Sequence, residues 1–154
     1  MLERMKIHSK GNEYMKSTVI IPNYNGMKYI ENCMKALEKE TSTEYKIVIV
    51  DNGSTDGSRQ WIEQNCPKAQ LIAMGENTGF CGAVNAGIKA AKTPYVILLN
   101  NDTEVEYGFV KALEDALESH KNSFSVSAKM VDLKNPEVLD GTGIYTVLLV
   151  GLLL

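Results

Sequence analysis

Tyr95-Val-Ile-Leu-Leu-Asn-Asn-Asp-Thr-Glu104 is an apolar run that stops abruptly at Asn100-Asn101-Asp102-Thr103. Apolar residues without polar alternation predict a strand buried on both faces, as in a parallel sheet. The carboxyl end of such a strand is where open α/β sheets bind ligands. One carboxylate beside two amides and a hydroxyl suits a hard divalent cation that keeps waters and shares a substrate's phosphates. The same residues also suit a plain turn, where Asn and Asp are favoured for backbone reasons.

Working outward from this strand, strand and helix signals alternate. Thr18-Val-Ile-Ile21 is a β-branched run ended by Pro22-Asn-Tyr-Asn-Gly26. Ile30, Cys33, Met34 and Leu37 then recur at helical spacing. Lys46-Ile-Val-Ile-Val50 is a second buried strand, closed by Asp51-Asn-Gly-Ser-Thr-Asp56. A short helix is predicted from Ser58 to Asn65, with Trp61 and Ile62 inward and Pro67 as a stop signal. Leu71–Met74 is a shorter strand, and Cys81–Ala91 a helix of small residues. Phe109, Leu113, Ala116 and Leu117 mark an amphipathic helix, and Phe124–Met130 a fifth strand. This βαβ order predicts a Rossmann-like α/β fold with a doubly wound, mostly parallel sheet. The loops after Ile21, Val50 and Leu99 then meet at one edge of the sheet.

The chain has 154 residues, enough for one domain that buries about 70 % of its surface on folding. Hydrophobic and charged fractions of 44 % and 23 % are ordinary for a globular protein. A net charge of −3 gives no electrostatic case for a nucleic-acid partner. Anionic ligands would need a metal or helix N-termini. The three cysteines show no CxxC spacing, so neither a disulfide framework nor a zinc site is expected, and a reducing, cytoplasmic setting fits. Cys33 and Cys81, among small or apolar neighbours, are expected to be buried packing thiols.

Residues 1–16 are expected to form a flexible tail and residues 17–146 the domain. Residues 147–154 end an apolar stretch, Ile144-Tyr-Thr-Val-Leu-Leu-Val-Gly-Leu-Leu-Leu154, too short to span a bilayer. It suits a last strand, an interface through which copies associate, or the end of a truncated reading frame.

Several residues carry candidate chemistry. Asp51, at a strand end, can accept a hydrogen bond from a base N–H or a ribose hydroxyl, and Asp56 can cap the helix starting near Ser58. In Gly75-Glu-Asn-Thr-Gly-Phe-Cys-Gly-Ala-Val-Asn-Ala-Gly87 the glycines allow either close approach to a diphosphate or close helix–sheet packing. Packing accounts well for Gly87 and less well for Asn77 and Asn85. No GxGxxG or GxxxxGK[ST] occurs, so neither a dinucleotide fingerprint nor a P-loop is supported. His8 and His120 are isolated, His120 near a helix C-terminus, and Glu114-Asp115 is expected on a solvated helix face. A nucleotidyltransferase would need a Gly-rich, Arg-containing first loop, and an aspartyl phosphatase two aspartates two residues apart; neither is present.

Val19-Ile-Ile-Pro-Asn-Tyr-Asn-Gly26, Ile49-Val-Asp-Asn-Gly-Ser-Thr-Asp-Gly-Ser58, Glu76-Asn-Thr-Gly-Phe80 with Asn85-Ala-Gly-Ile88, and Leu98-Leu-Asn-Asn-Asp-Thr-Glu-Val105 occur in that order. Together they resemble the amino-terminal, donor-binding half of glycosyltransferase family 2, especially its bacterial rhamnosyltransferase-like members in cell-wall and polysaccharide synthesis. The resemblance implies a GT-A fold, a UDP-, dTDP- or GDP-sugar donor, Mg²⁺ or Mn²⁺, and inverting transfer to a hydroxyl of a saccharide or lipid-linked acceptor. By the same resemblance Pro22, Asn23, Tyr24 and Asn25 border the nucleotide, with Asn77 nearby. Asp51 contacts the base, Asn101 lies near the ribose or diphosphate, and Asp102 is the metal ligand. The Asp-x-Asp region of the family reads Asn-Asn-Asp here, one carboxylate fewer, which implies weaker or more water-mediated metal binding. The general base of the family lies in its carboxyl-terminal half, beyond Leu154, so no catalytic base is assigned. The expectation is therefore a donor-binding half that transfers sugar poorly, working at the inner face of the membrane as a peripheral protein.

Overall fold

A computed structural model describes residues 15–120, 122–135, 137–138 and 149–151. Its elements run β1 (Ser17–Asn23), α1 (Met27–Lys39), β2 (Tyr45–Asp51), α2 (Ser58–Asn65), β3 (Gln70–Ala73), α3 (Gly79–Ala90), β4 (Tyr95–Leu98), α4 (Phe109–Ser119) and β5 (Leu149–Gly151). The sheet order is β3-β2-β1-β4-β5. The first four strands are parallel, and β5 pairs antiparallel with β4, Val96 opposite Val150.

The chain moves outward from β1 through β2 to β3, then crosses back over β1 to β4. Crossovers of one hand taken in opposite directions put their helices on opposite faces. Accordingly α1, α2 and α4 pack on the face carrying Val19, Ile21, Ile49, Ile97 and Leu99. The face carrying Ile20, Val48, Val50 and Val96 meets Ala83 of α3 and Ala91 just after it. Alternate residues of one strand thus feed two cores, which is why these strands read as unbroken apolar runs. Each of Val19, Ile20 and Ile21 is fully buried, worth about 1.5–3 kcal/mol apiece. Gly87 lets α3 sit close to the sheet: a Cβ there would collide with Cγ2 of Ile20. The packing role expected of Gly87 is the one it plays.

The reversal of direction lies between β1 and β4, and in doubly wound sheets such a switch point opens a crevice at the carboxyl ends of the strands. The loops after β1, β2 and β4 all reach that edge.

Three expectations are corrected. Phe124–Met130 forms no strand; it runs beside the domain without ladder bonds. Its alternation holds from Val126 on, since Val126 and Ala128 pack against the first core while Ser127 and Lys129 are exposed. The position beside β4 is taken by β5, so of the readings of the apolar end a last strand is the one residues 149–151 adopt. Cys81 is exposed, because burial along α3 begins only at Ala83, whereas Cys33 is buried as expected. Glu114 is 3 % exposed rather than solvated, bound by the Ser17 hydroxyl at 2.6 Å. Residues 1–14 and 139–148, with His8 and the boundary expected at 146, lie outside the described residues.

Candidate functional site

The three loops at the carboxyl edge are joined by side-chain amides. Asn23, the last residue of β1, is 1 % exposed. Its Nδ2 faces three acceptors: Asp51 Oδ1 at 3.1 Å, Ser54 Oγ at 3.2 Å and Ser58 Oγ at 3.0 Å. Its Oδ1 accepts from Nδ2 of Asn101, after β4, at 2.8 Å. A bond between Asn23 and Asn101 spans the switch point, so the β2 loop and the Asn-Asn-Asp loop share one residue. Gly26 permits this, because a Cβ there would collide with both Asn101 Nδ2 and Asn23 Oδ1.

Asp51 is wholly buried, its Oδ2 accepting the Ser54 N–H at 3.2 Å. Contact between Asp51 and a ligand therefore requires the Ser54 N–H to yield that oxygen. Asn25, with φ of 49°, is exposed and tied to the β2 loop: its N–H donates to Ser54 Oγ at 3.0 Å and its Oδ1 accepts the Thr55 N–H at 2.8 Å. Pro22 is half-buried and Tyr24 half-exposed at the rim.

Asn52, which the sequence offers only as a turn residue beside Gly53, latches the loop after β3. Its Oδ1 accepts the Thr78 N–H and hydroxyl, each at 3.0 Å, and its Nδ2 donates to Asn77 Oδ1 at 3.0 Å and to the Gly79 carbonyl at 3.1 Å. Asn77, exposed, also takes the Gly79 N–H on its Oδ1 at 2.9 Å, which caps the start of α3. The available signal was the density of asparagines at loop positions, where a neutral amide can both give and accept.

Asp56 serves as a double cap. Its Oδ1 accepts the Ser58 N–H at 3.0 Å and the Ser58 hydroxyl at 2.6 Å, and its Oδ2 accepts the Met27 N–H at 2.8 Å. Burial pushes its carboxyl up, but the bonds from Ser58 and Met27 outweigh that and hold it below the usual aspartate range.

Asn101 is half-buried and Asp102 exposed, at the same loop. Beneath them Cys33 donates its thiol to the Asn100 carbonyl at 3.8 Å. Burial, with Asp102 and Glu104 adding to it, pushes the Cys33 thiol up to about 12, so it stays protonated. Among the described residues no three His, Cys, Asp or Glu side chains gather as a metal set. A lone exposed carboxylate with neighbouring amide oxygens nonetheless fits Mg²⁺ or Mn²⁺, which take oxygen donors and complete their shells with water and phosphate. A broad groove at the other edge of the sheet, lined by Tyr45, Lys46, Asn65, Cys66 and Lys92 where the helix ends splay from the strand starts, holds none of these residues.

The family profile described as Glycosyl transferase family 2 matches residues 18–138. The chain belongs to that family. Among curated relatives, the uncharacterised glycosyltransferase YibD of Escherichia coli K12 is 36 % identical over 115 residues, 70 % of this chain and 33 % of YibD. Poly(ribitol-phosphate) β-N-acetylglucosaminyltransferase TarS of Staphylococcus aureus is 31 % identical over 111 residues, 69 % of this chain and 19 % of TarS. The chain thus spans a third or less of these relatives. The crystal structure of S. aureus TarS 1-349 in complex with UDP-GlcNAc superposes with a TM-score of 0.67 at 27 % identity, covering 84 % of this chain and 37 % of that one. The mannosyltransferase PcManGT from Pyrobaculum calidifontis, in complex with GDP-Man and Mn²⁺, gives 0.66 at 23 % identity, covering 77 % and 37 %. The α/β fold with its parallel sheet is therefore of the GT-A kind. Among the described residues no helix is long and apolar enough to cross a membrane.

Proposed function

We propose that this chain binds a nucleotide-diphospho-sugar at the carboxyl edge of its sheet and serves an inverting sugar transfer to an acceptor hydroxyl. The observation that carries this reading is the bond from Asn101 to Asn23, which ties Asp51 and the Asp102 loop into one crevice at the switch point. In this reading Pro22, Asn23, Tyr24 and Asn25 border the nucleotide, Asp51 meets the base and Asn77 supports the wall formed by the start of α3.

Asn101 lies near the ribose or diphosphate, and Asp102 would hold Mg²⁺ or Mn²⁺. When bound, that ion supplies Lewis-acid stabilisation to the charge left on the diphosphate. The bond from the anomeric carbon to the diphosphate breaks as one to the acceptor oxygen forms on the opposite face, and the acceptor proton passes to a base outside this chain's assigned residues. The acceptor is a saccharide or a lipid-linked one, which would draw the protein to the inner face of a membrane. The rhamnosyltransferase-like look of the motifs keeps a dTDP-sugar among the donors to test, beside UDP- and GDP-sugars.

The test is calorimetric titration of UDP, dTDP and GDP with and without Mn²⁺. Metal-dependent binding of one of them, largely lost in Asp102→Ala, is expected; unchanged affinity in that variant overturns the metal role. Asp51→Ala should weaken binding with or without metal. A second reading is donor binding without transfer by these 154 residues alone. A robust sugar-transfer rate from the purified chain would exclude it.

A further inference from the structure

The polar network around Asn23 has a direction. Ser58 gives its hydroxyl proton to Asp56 Oδ1, so towards Asn23 its oxygen can only accept. Asp51 Oδ1 and Ser54 Oγ are acceptors on the same side, Ser54 already taking the Asn25 N–H. With three acceptors around one end of a buried carboxamide, that end must be the NH₂ group. Turning it over would press a carbonyl oxygen against Asp51 Oδ1 and Ser58 Oγ without a proton between them. Asn23 Oδ1 therefore points the other way, and Asn101 must meet it with its own NH₂. Asn101 Oδ1 is left without a partner among the described residues, and no buried side-chain oxygen or nitrogen among them lacks one, so this oxygen is reached by solvent.

We propose that Asn23 is a positioning residue that makes Asn101 present its carbonyl oxygen to the bound nucleotide. This rests on the nucleotide-sugar reading and narrows it. An outward acceptor oxygen repels phosphate oxygens and takes a proton from a hydroxyl, so Asn101 recognises the ribose hydroxyls rather than the diphosphate. Asp51, Ser54, Ser58 and Asp56 act on that choice only through Asn23. A chain of neutral amides carries the orientation across the switch point without adding charge where a diphosphate must sit.

The experiment compares UDP with 2′,3′-dideoxy-UDP in the presence of Mn²⁺. A site built to bond a hydroxyl rejects the analogue lacking it, so the protein should prefer UDP at least about ten-fold. In Asn101→Ala that preference should fall at least about five-fold. Gly26→Ala removes none of the network's donors or acceptors, but its methyl collides with Asn101 Nδ2 and Asn23 Oδ1 at the bond between them and should lower the preference equally. Asn23→Ser should do the same. A preference retained in Gly26→Ala and Asn23→Ser, with both nucleotides weakened by one common factor, overturns the proposal, as does a protein indifferent to the hydroxyls. Should the protein bind neither nucleotide, the functional reading fails, and the relay is judged in the free protein by the NMR signal of the Asn101 carboxamide. Ser58→Ala, which meets Asn101 only through Asn23, must then shift that signal; an unmoved signal refutes the relay.

Discussion

At the carboxyl edge of the sheet, neutral amides and hydroxyls tie together the loops after β1, β2, β3 and β4, and the carboxylate of Asp102 stands exposed beside them. Towards the amino edge, carboxylates are buried and engaged in holding elements together. Glu40, 3 % exposed at the end of α1, accepts the N–H groups of Gly108 and Phe109 at 2.5 and 3.2 Å and so caps α4. Glu114 of α4 accepts the hydroxyl of Ser17, where β1 begins. Tyr45 donates to the Leu37 carbonyl at 2.7 Å, fixing the end of α1 to the start of β2. Asp51 and Asp56 also serve cohesion at the carboxyl edge, but Asp102 stands exposed there, which implies a division of labour: damage to the buried carboxylates should appear in folding, loss of Asp102 in ligand binding.

The largest effect expected is at Glu40. Replacing it with Ala leaves two N–H groups at the start of α4 without their partner and should cost about 2 kcal/mol in chemical denaturation, with nucleotide affinity unchanged in the folded fraction. A comparable loss of affinity would blur the two edges. The reverse pattern is expected at Asp102. Asp102→Ala should weaken metal-dependent nucleotide binding about ten-fold, or ~1.4 kcal/mol, while leaving the melting temperature where it was.

Smaller effects sharpen the contrast through pH. The bonds from Ser58 and Met27 hold Asp56 below its ordinary range, so its contribution is complete at neutral pH and is lost as pH falls through the folded value. Asp56→Asn should cost about 1 kcal/mol near neutrality, and the difference from wild type should shrink in acid denaturation series. Glu114 runs the other way. Burial raises its carboxyl above the usual range, against the opposing Ser17 bond, so the folded protein holds that proton more tightly than the unfolded chain. Its stabilisation is full in acid and lost as pH rises through the folded value, so Glu114→Gln should gain on wild type as pH rises above the unfolded glutamate value of about 4.3. This is the smallest effect, and parallel pH profiles for the two variants would erase the contrast.

Much of this plan was legible in the order of residues. β1, β2 and β4 announce themselves because each serves two cores and so lacks polar interruption, and the loops that follow them fall on one edge by topology alone. What escaped were matters of long-range partnership. Phe124–Met130 alternates correctly but has no strand edge to join, since residues 149–151 occupy it. Glu114 sits in a helix whose other polar residues are solvated, and only the arrival of Ser17 from a distant strand makes its burial tolerable. At the site, Asn23, Asn52 and Asn77 looked like turn formers or ligand contacts; the structure shows them bonded to one another's loops. Amides are ambiguous in a sequence because one side chain can cap, bridge or bind, and only its neighbours decide.

Paramagnetic broadening by Mn²⁺ tests the central claim most directly, observed on backbone amides of the labelled protein with one equivalent of the nucleoside diphosphate that binds best. Broadening confined to Tyr24–Gly26, Ser54–Thr55 and Asn100–Thr103, and removed by Asp102→Ala, is the predicted result. Broadening centred on Tyr45, Asn65 and Lys92 at the opposite edge, or spread evenly over the chain, would contradict a nucleotide and cation bound at the switch point.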